Sequence, residues 1–216
     1  MITIKFGLPR SGKTTDFAKT AYYARTKYKH VYGNVHMSVP DYTYIDNECI
    51  GRYQLDHALI LIDEATLLAD NRDYKTLSKA LKQYLVLHGH YKVDMIFYVQ
   101  KWDAVDIKIR TLCEEVYYIR KSFFLGKWIS YEYRIPYGIE FSNPKTDGHR
   151  YGEIVMGYGK PRFMDRVFKG IIIRPLYYKY FDSWEAPELP KLPPIYTTNP
   201  HKPSFGEWLF NKLHKK

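Results

Sequence analysis

The first fourteen residues, MITIKFGLPRSGKT, leave this chain few folds to choose from. Met1 to Gly7 reads as a short buried strand and leads straight into Gly7-Leu8-Pro9-Arg10-Ser11-Gly12-Lys13-Thr14, which fits G-x-x-x-x-G-K-[ST]. A helical pattern follows, with Phe17, Ala18, Ala21, Tyr22 and Tyr28 near one face and Lys19 and Arg25 off it. Strand, glycine-rich turn and helix in this order make a cradle for phosphate. Backbone N–H groups of the turn wrap the anion, glycines allow close approach, and the helix points its positive end inward. In such a cradle Lys13 reaches the β- and γ-phosphates and the Thr14 hydroxyl ligates Mg²⁺. Gly7, Leu8, Pro9, Arg10, Ser11, Gly12, Lys13, Thr14 and Thr15 are therefore the candidate nucleotide-binding residues. Pro9 and Arg10 fill variable positions. No guanine-reading segment is recognisable, so ATP is the expected nucleotide, with Mg²⁺ beside it. The competing reading is a glycine turn with an ordinary lysine.

LILIDEA supplies a second half. Four consecutive apolar residues, Leu59 to Ile62, suit a strand covered on both faces, as in a parallel sheet. Asp63 then stands at the carboxyl end of that sheet, where it can hold Mg²⁺ through its water shell. Glu64 can orient or deprotonate an attacking water, and an acidic residue directly after Asp63 favours hydrolysis over transfer to a small acceptor. A helix-capping acidic pair is the alternative. Gln100 closes the apolar run from Val93; it either reaches the γ-phosphate or attacking water, or is a satisfied strand-end glutamine. Arg72 and Arg110 are the arginine-finger candidates, each equally readable as a surface ion pair. A finger acting in trans would require an oligomer.

Between these motifs the pattern alternates. His30–Val35 reads as a strand, and MSVPDYTYIDNECIG as a turn-rich stretch punctuated by Pro40 and Gly51. Leu77, Leu81, Tyr84, Leu85 and His88 share helical spacing; DAVDIKIRTLCEE is helical by pattern, and EVYYIRK is strand-like. The order predicts an α/β fold: a P-loop NTPase with a mostly parallel, RecA-like central sheet flanked by helices. After about Ser122 the texture turns β-rich. KWISYEYRI, EIVMGYGK and FKGIIIRPLYYKY read as strands, with SNPKTDGHRYG a turn. This extension either continues the sheet or forms a small attachment. The nucleotide-binding domain is expected to span 1–183. Residues 184–216 form a tail, proline-rich over Glu185–Pro203, and close on an amphipathic segment with Phe205, Trp208, Leu209 and Leu213 on one side.

Composition narrows the partners. The 216 residues carry a net charge of +10, which suits nucleic acid, an anionic membrane face, or merely a solvated basic surface. The 22 tyrosines suit strands first and base stacking second. Two cysteines, Cys49 and Cys113, make neither a metal pattern nor a disulfide framework, which fits a reducing cytoplasm. No secretory leader pattern is visible, so secretion is not expected. The longest apolar runs fall far short of the ~20 residues of a spanning helix. The segment 205–216, with Lys212, Lys215 and Lys216, either touches an anionic membrane or packs on its own domain or a neighbour.

In order, GLPRSGKTT, VYGNV, LILIDEA, Arg72, LVLHGHYKVDMIFYVQ and DIKIRTL resemble the zonula occludens toxin-like family, which includes the assembly ATPases of filamentous phages, within the FtsK–HerA group. The specific parts are His88, His90 and Asp94 before the Gln100 strand, and the tyrosine-rich Leu176–Ser183. The resemblance covers roughly 1–183. It implies that Lys13, Thr14, Asp63, Glu64 and Gln100 hold the roles above. It also implies an ATP-driven ring that exports or packages DNA with viral structural or membrane assembly proteins. The place of action would be the host cytoplasm, the inner face of its membrane, or the virion. Filamentous-phage members usually carry a membrane-spanning helix after the ATPase domain, and this sequence shows a proline-rich tail there instead. A packaging ATPase like those of membrane-containing icosahedral viruses is the alternative. A small-molecule kinase lacks its arginine-rich lid here, and a non-catalytic binding module would not need Lys13, Asp63 and Glu64 together.

Overall fold

The computed structural model describes residues 1–64, 79–135 and 166–182. All belong to one compact unit, Met1–Ser183. Outside the described residues lie Arg72, Leu77, the expected EIVMGYGK strand with the turn before it, and the tail with its 205–216 segment.

Eight strands form one sheet in the order β3-β2-β4-β5-β1-β6-β7-β8. They are β1 Ile2–Phe6, β2 His30–Gly33, β3 Tyr42–Tyr44, β4 Ala58–Ile62, β5 Asp94–Val99, β6 Glu115–Lys121, β7 Ile129–Arg134 and β8 Val167–Ile173. The first six run parallel. β7 and β8 add on antiparallel, so the β-rich extension continues the same sheet. The expected α/β architecture is present: a mostly parallel central sheet with helices on both faces.

Every residue of β1 and β4 is buried, because the sheet is covered on both faces. Alternate side chains take opposite sides. Ile60 and Ile62 pack with Ile4, Phe6 and Phe97 against Leu81 and Leu85 of α2 (Lys79–Leu87) and Ile109 of α3 (Ile107–Thr111). Leu59 and Leu61 pack instead with Phe17 and Ala21 of α1 (Lys13–Ala24). Each such burial stabilises the fold by about 1.5–3 kcal/mol relative to exposure.

Two expectations change. The turn-rich stretch after Pro40 contains β3, a three-residue edge strand paired with β2 from Val31↔Tyr42 to Gly33↔Tyr44. The helix expected over DAVDIKIRTLCEE shrinks to α3. Val105 is extended, Asp106 caps the helix by accepting from Lys108 N–H at 2.7 Å, and Glu114 N–H is drawn to the Ile2 carbonyl at 2.8 Å. Alignment with β1 thus ends the helix early.

Candidate functional site

In a parallel sheet every strand ends on the same edge. Here β5 lies between β1 and β4, so Gln100 emerges between the loop after Phe6 and the acidic pair after Ile62. Residues 36 to 93 positions apart in sequence are brought together by topology alone.

The loop from Gly7 to Gly12 is anchored at both ends. Gly7 N–H donates to the Val99 carbonyl at 3.2 Å, and Ser11 N–H to the Leu8 carbonyl at 3.1 Å. A Cβ on Gly7 would collide with the Ile119 carbonyl oxygen. Gly12 has φ 102 and faces the Ser130 hydroxyl, so it needs both the left-handed conformation and the missing side chain. Arg10, at φ 61, takes the same left-handed region with an exposed side chain. Ser130 Oγ donates to the Ser11 carbonyl at 2.7 Å, which ties the loop to β7. Leu8 and Pro9 are exposed, whereas Ser11, Gly12, Lys13 and Thr15 are buried.

Lys13 Nζ donates to the Gly7 and Leu8 carbonyls at 2.9 and 3.2 Å. Burial holds its pKa below the ordinary lysine value, while Asp63 and Glu64 pull the other way. Thr14 Oγ1 donates to Asp63 Oδ2 at 3.2 Å, so the two residues expected to hold Mg²⁺ are in contact. Burial pushes the Asp63 carboxyl above the usual range, and Glu64 adds to this. The Glu64 N–H (3.0 Å to Oδ1), Lys13 and Thr14 oppose it. A buried carboxylate beside a hydroxyl is an oxygen donor pair that fits a hard divalent cation completed by water and phosphate. No cluster of three or more His, Cys, Asp or Glu side chains suits a metal among the described residues.

Glu64 sits at φ 52, a left-handed backbone that a glutamate rarely adopts. There its Oε1 accepts a hydrogen bond from Gln100 Nε2. Its Oε2 is buried with no hydrogen-bond partner among the described residues. One oxygen is thus held in place by Gln100.

Asn34, one residue beyond β2, was not among the expected site residues. Its Oδ1 accepts from Asp63 N–H at 2.7 Å, and its Nδ2 donates to the Asp63 carbonyl at 2.9 Å and to Asn47 Oδ1 at 3.0 Å. The only signal in the sequence is a polar residue one position before the end of the VYGNV run.

Other expected residues lie elsewhere. Arg110 is buried on α3 with its guanidinium 6.0 Å from the Trp102 ring centre, not presented outward. His88 and Asp94 lie at the opposite, amino edge, where Asp94 Oδ1 accepts from the Met1 ammonium at 2.7 Å and His88 Nε2 is 3.2 Å from it. His90 is exposed beside that turn. In the tyrosine-rich end, Tyr180 packs on Tyr22 of α1, with ring centres 5.6 Å apart.

A family model for Zonular occludens toxin (Zot) matches residues 35–161. The match starts beyond the phosphate-binding loop, so the two are independent observations. Comparison with curated proteins finds no match. Among solved structures, the chain is similar to the N-terminal domain of zonular occludens toxin from Neisseria meningitidis. The identity is 20% over 62% of this chain and 82% of that one, with a TM-score of 0.47. It is also similar to the genome packaging NTPase B204 of Sulfolobus turreted icosahedral virus 2 in complex with ATP-gammaS. There the identity is 12% over 62% and 91% of the two chains, with a TM-score of 0.46. For the flagellar accessory protein FlaH of Methanocaldococcus jannaschii the values are 12%, 78%, 88% and 0.44.

Proposed function

This chain belongs to the zonular occludens toxin family, and from that premise we propose that it is an ATP-hydrolysing motor of a virus or mobile element, moving DNA during export, virion assembly or packaging. The observation that carries the reading is the Glu64–Gln100 hydrogen bond beside Lys13, Thr14 and Asp63. A carboxylate held by a neutral amide through one oxygen, with no partner to the other among the described residues, is suited to take a proton from water.

In this reading the loop N–H groups and Lys13 bind the phosphates of ATP. Lys13 does so by exchanging the Gly7 and Leu8 carbonyls for phosphate oxygens, whose negative charge offsets the burial that disfavours its ammonium. Thr14 and Asp63 hold Mg²⁺, which when bound neutralises charge on the phosphate oxygens. Glu64 Oε2 takes the proton of the attacking water while Gln100 fixes Glu64 Oε1. The net charge of +10 supports a polyanionic partner, and family membership supports a ring of copies acting with viral structural or membrane assembly proteins. Action at the inner face of the host membrane accords with both.

The test is steady-state ATP hydrolysis with no DNA, with single-stranded DNA and with duplex DNA, using Glu64→Gln as the blank. Stimulation by one form is expected: single strands for export, duplex for packaging. A Lys13→Ala protein that hydrolyses ATP as fast as the parent would sink the proposal.

A further inference from the structure

The turn joining β6 to β7 carries SFFLGKW, residues 122–128, beyond the end of the sheet. Phe123 is 84% exposed and Phe124 90%, with Leu125 at 50% and Trp128 at 59%. Beside it, the turn that leaves β8 exposes Leu176 at 57%. Scattered exposed apolar residues are ordinary, but three in a row at one tip with a tryptophan below them are not.

Part of the backbone beneath these side chains is paired. Arg174 donates from its guanidinium to the Gly126 carbonyl at 2.6 Å and from its N–H to the Trp128 carbonyl at 2.8 Å. The Tyr178 hydroxyl donates to the Lys127 carbonyl between them at 2.7 Å. Leu125 N–H finds Ser122 Oγ, and the Leu125 carbonyl accepts from both Trp128 and Ile129 N–H. In water these groups need no such partners. In hydrocarbon each unpaired one is costly.

The two described segments that form the tip carry charge of one sign. No Asp or Glu occurs from Arg120 to Ser130, nor from Arg166 to Phe181, whereas Arg120, Lys121, Lys127 and Lys179 are exposed there. Apolar tip, tryptophan at its base and lysines alongside match the layering of a bilayer surface: acyl region, interface, anionic headgroups. We propose that the β6–β7 tip is a membrane-docking element that inserts Phe123, Phe124 and Leu125 into an anionic lipid surface.

Two other occupants fit less well. A base-stacking platform needs parallel faces, but the Phe123 and Phe124 rings stand edge-on at 87° with centres 5.0 Å apart. A second copy meeting through the same face would set like charges against each other.

The experiment uses the full chain and flotation with vesicles of mixed phosphatidylglycerol and phosphatidylcholine, or of phosphatidylcholine alone. The parent is expected to float with the anionic vesicles, and a Phe123→Ser/Phe124→Ser protein to partition at least about tenfold less. Both proteins keep the same tail, so the difference reads the tip alone. Melting temperature and ATP binding serve as controls for folding, and should be equal because both rings are exposed. Tryptophan quenching by brominated lipid should fall when Trp128 becomes Phe. Either of two results would overturn the proposal: a parent that does not float, or a double variant that floats equally well, where a loss of single-stranded DNA binding or of self-association would name the other occupant. ATP hydrolysis measured separately keeps this outcome distinct from the motor reading.

Discussion

The Asn34 side chain grips the backbone of Asp63 from both sides: Oδ1 accepts its N–H at 2.7 Å and Nδ2 donates to its carbonyl at 2.9 Å. The amide acts as one more rung of the β2–β4 ladder past the point where the strands stop pairing. Asn34→Ala removes both bonds and should cost about 1–3 kcal/mol of stability. It should also raise the Mg²⁺ concentration for half-maximal ATP hydrolysis severalfold, with metal-free nucleotide binding unchanged. An unaltered Mg²⁺ titration would show that Asn34 serves the fold alone.

Glu64→Gln should lower kcat about 10²–10⁴-fold while retaining ATP binding. Gln100→Ala, which frees the Glu64 side chain without removing it, should cost less, about tenfold. The double variant should be no slower than Glu64→Gln, because the two act as a unit. Single-turnover rates check this, and additive losses would separate the pair.

Asp63 carries an opposition between stability and binding. Its folded pKa is raised, first by burial. The folded chain therefore holds that proton more tightly than the unfolded chain, and stability gains as pH falls through the raised value. At pH 7 the ionised carboxylate is a cost. Asp63→Asn should melt at a higher temperature than the parent without ligand and gain less from Mg²⁺ with ATP. Thermal melts with and without ligand give both numbers, and a lower ligand-free melting temperature would count against this account.

Lys5 lies buried under the phosphate-binding loop, 2.7 Å from both Asp16 and Glu132. Burial opposes its charge, but Asp16 and Glu132 more than offset this, and its pKa stands well above the ordinary value. Its contribution is thus complete below about 10.5 and is lost only as pH rises through the higher folded value. Lys5→Met leaves two carboxylates buried without their cation and should cost about 3–5 kcal/mol. Adding Asp16→Asn and Glu132→Gln should recover most of it, as urea midpoints would report.

The meeting of the Gly7–Thr14 loop, the Asp63–Glu64 pair and Gln100 at one sheet edge was legible because a phosphate site prescribes residue types at short fixed spacings and strand ends. Asn34 was not, since its meaning lies in a partner 29 positions away. β3 escaped notice because three residues are too few to show alternation. Arg110 read as a candidate finger from its place in the chain, yet α3 turns it onto Trp102. His88 and Asp94 carried the family likeness but sit at the far edge of the sheet. Among the described tyrosines, Tyr98 and Tyr118 are buried strand residues, which fits the strand reading of that excess.

Gly7 N–H rests on the carbonyl of Val99, and the same peptide unit carries the N–H of Gln100. A peptide unit is rigid, so the first glycine of the loop and the root of the glutamine are hinged on a single plate. A tilt of the loop would therefore carry the root of the residue that holds Glu64, and in the proposed motor the binding of phosphate and the timing of its cleavage would move together.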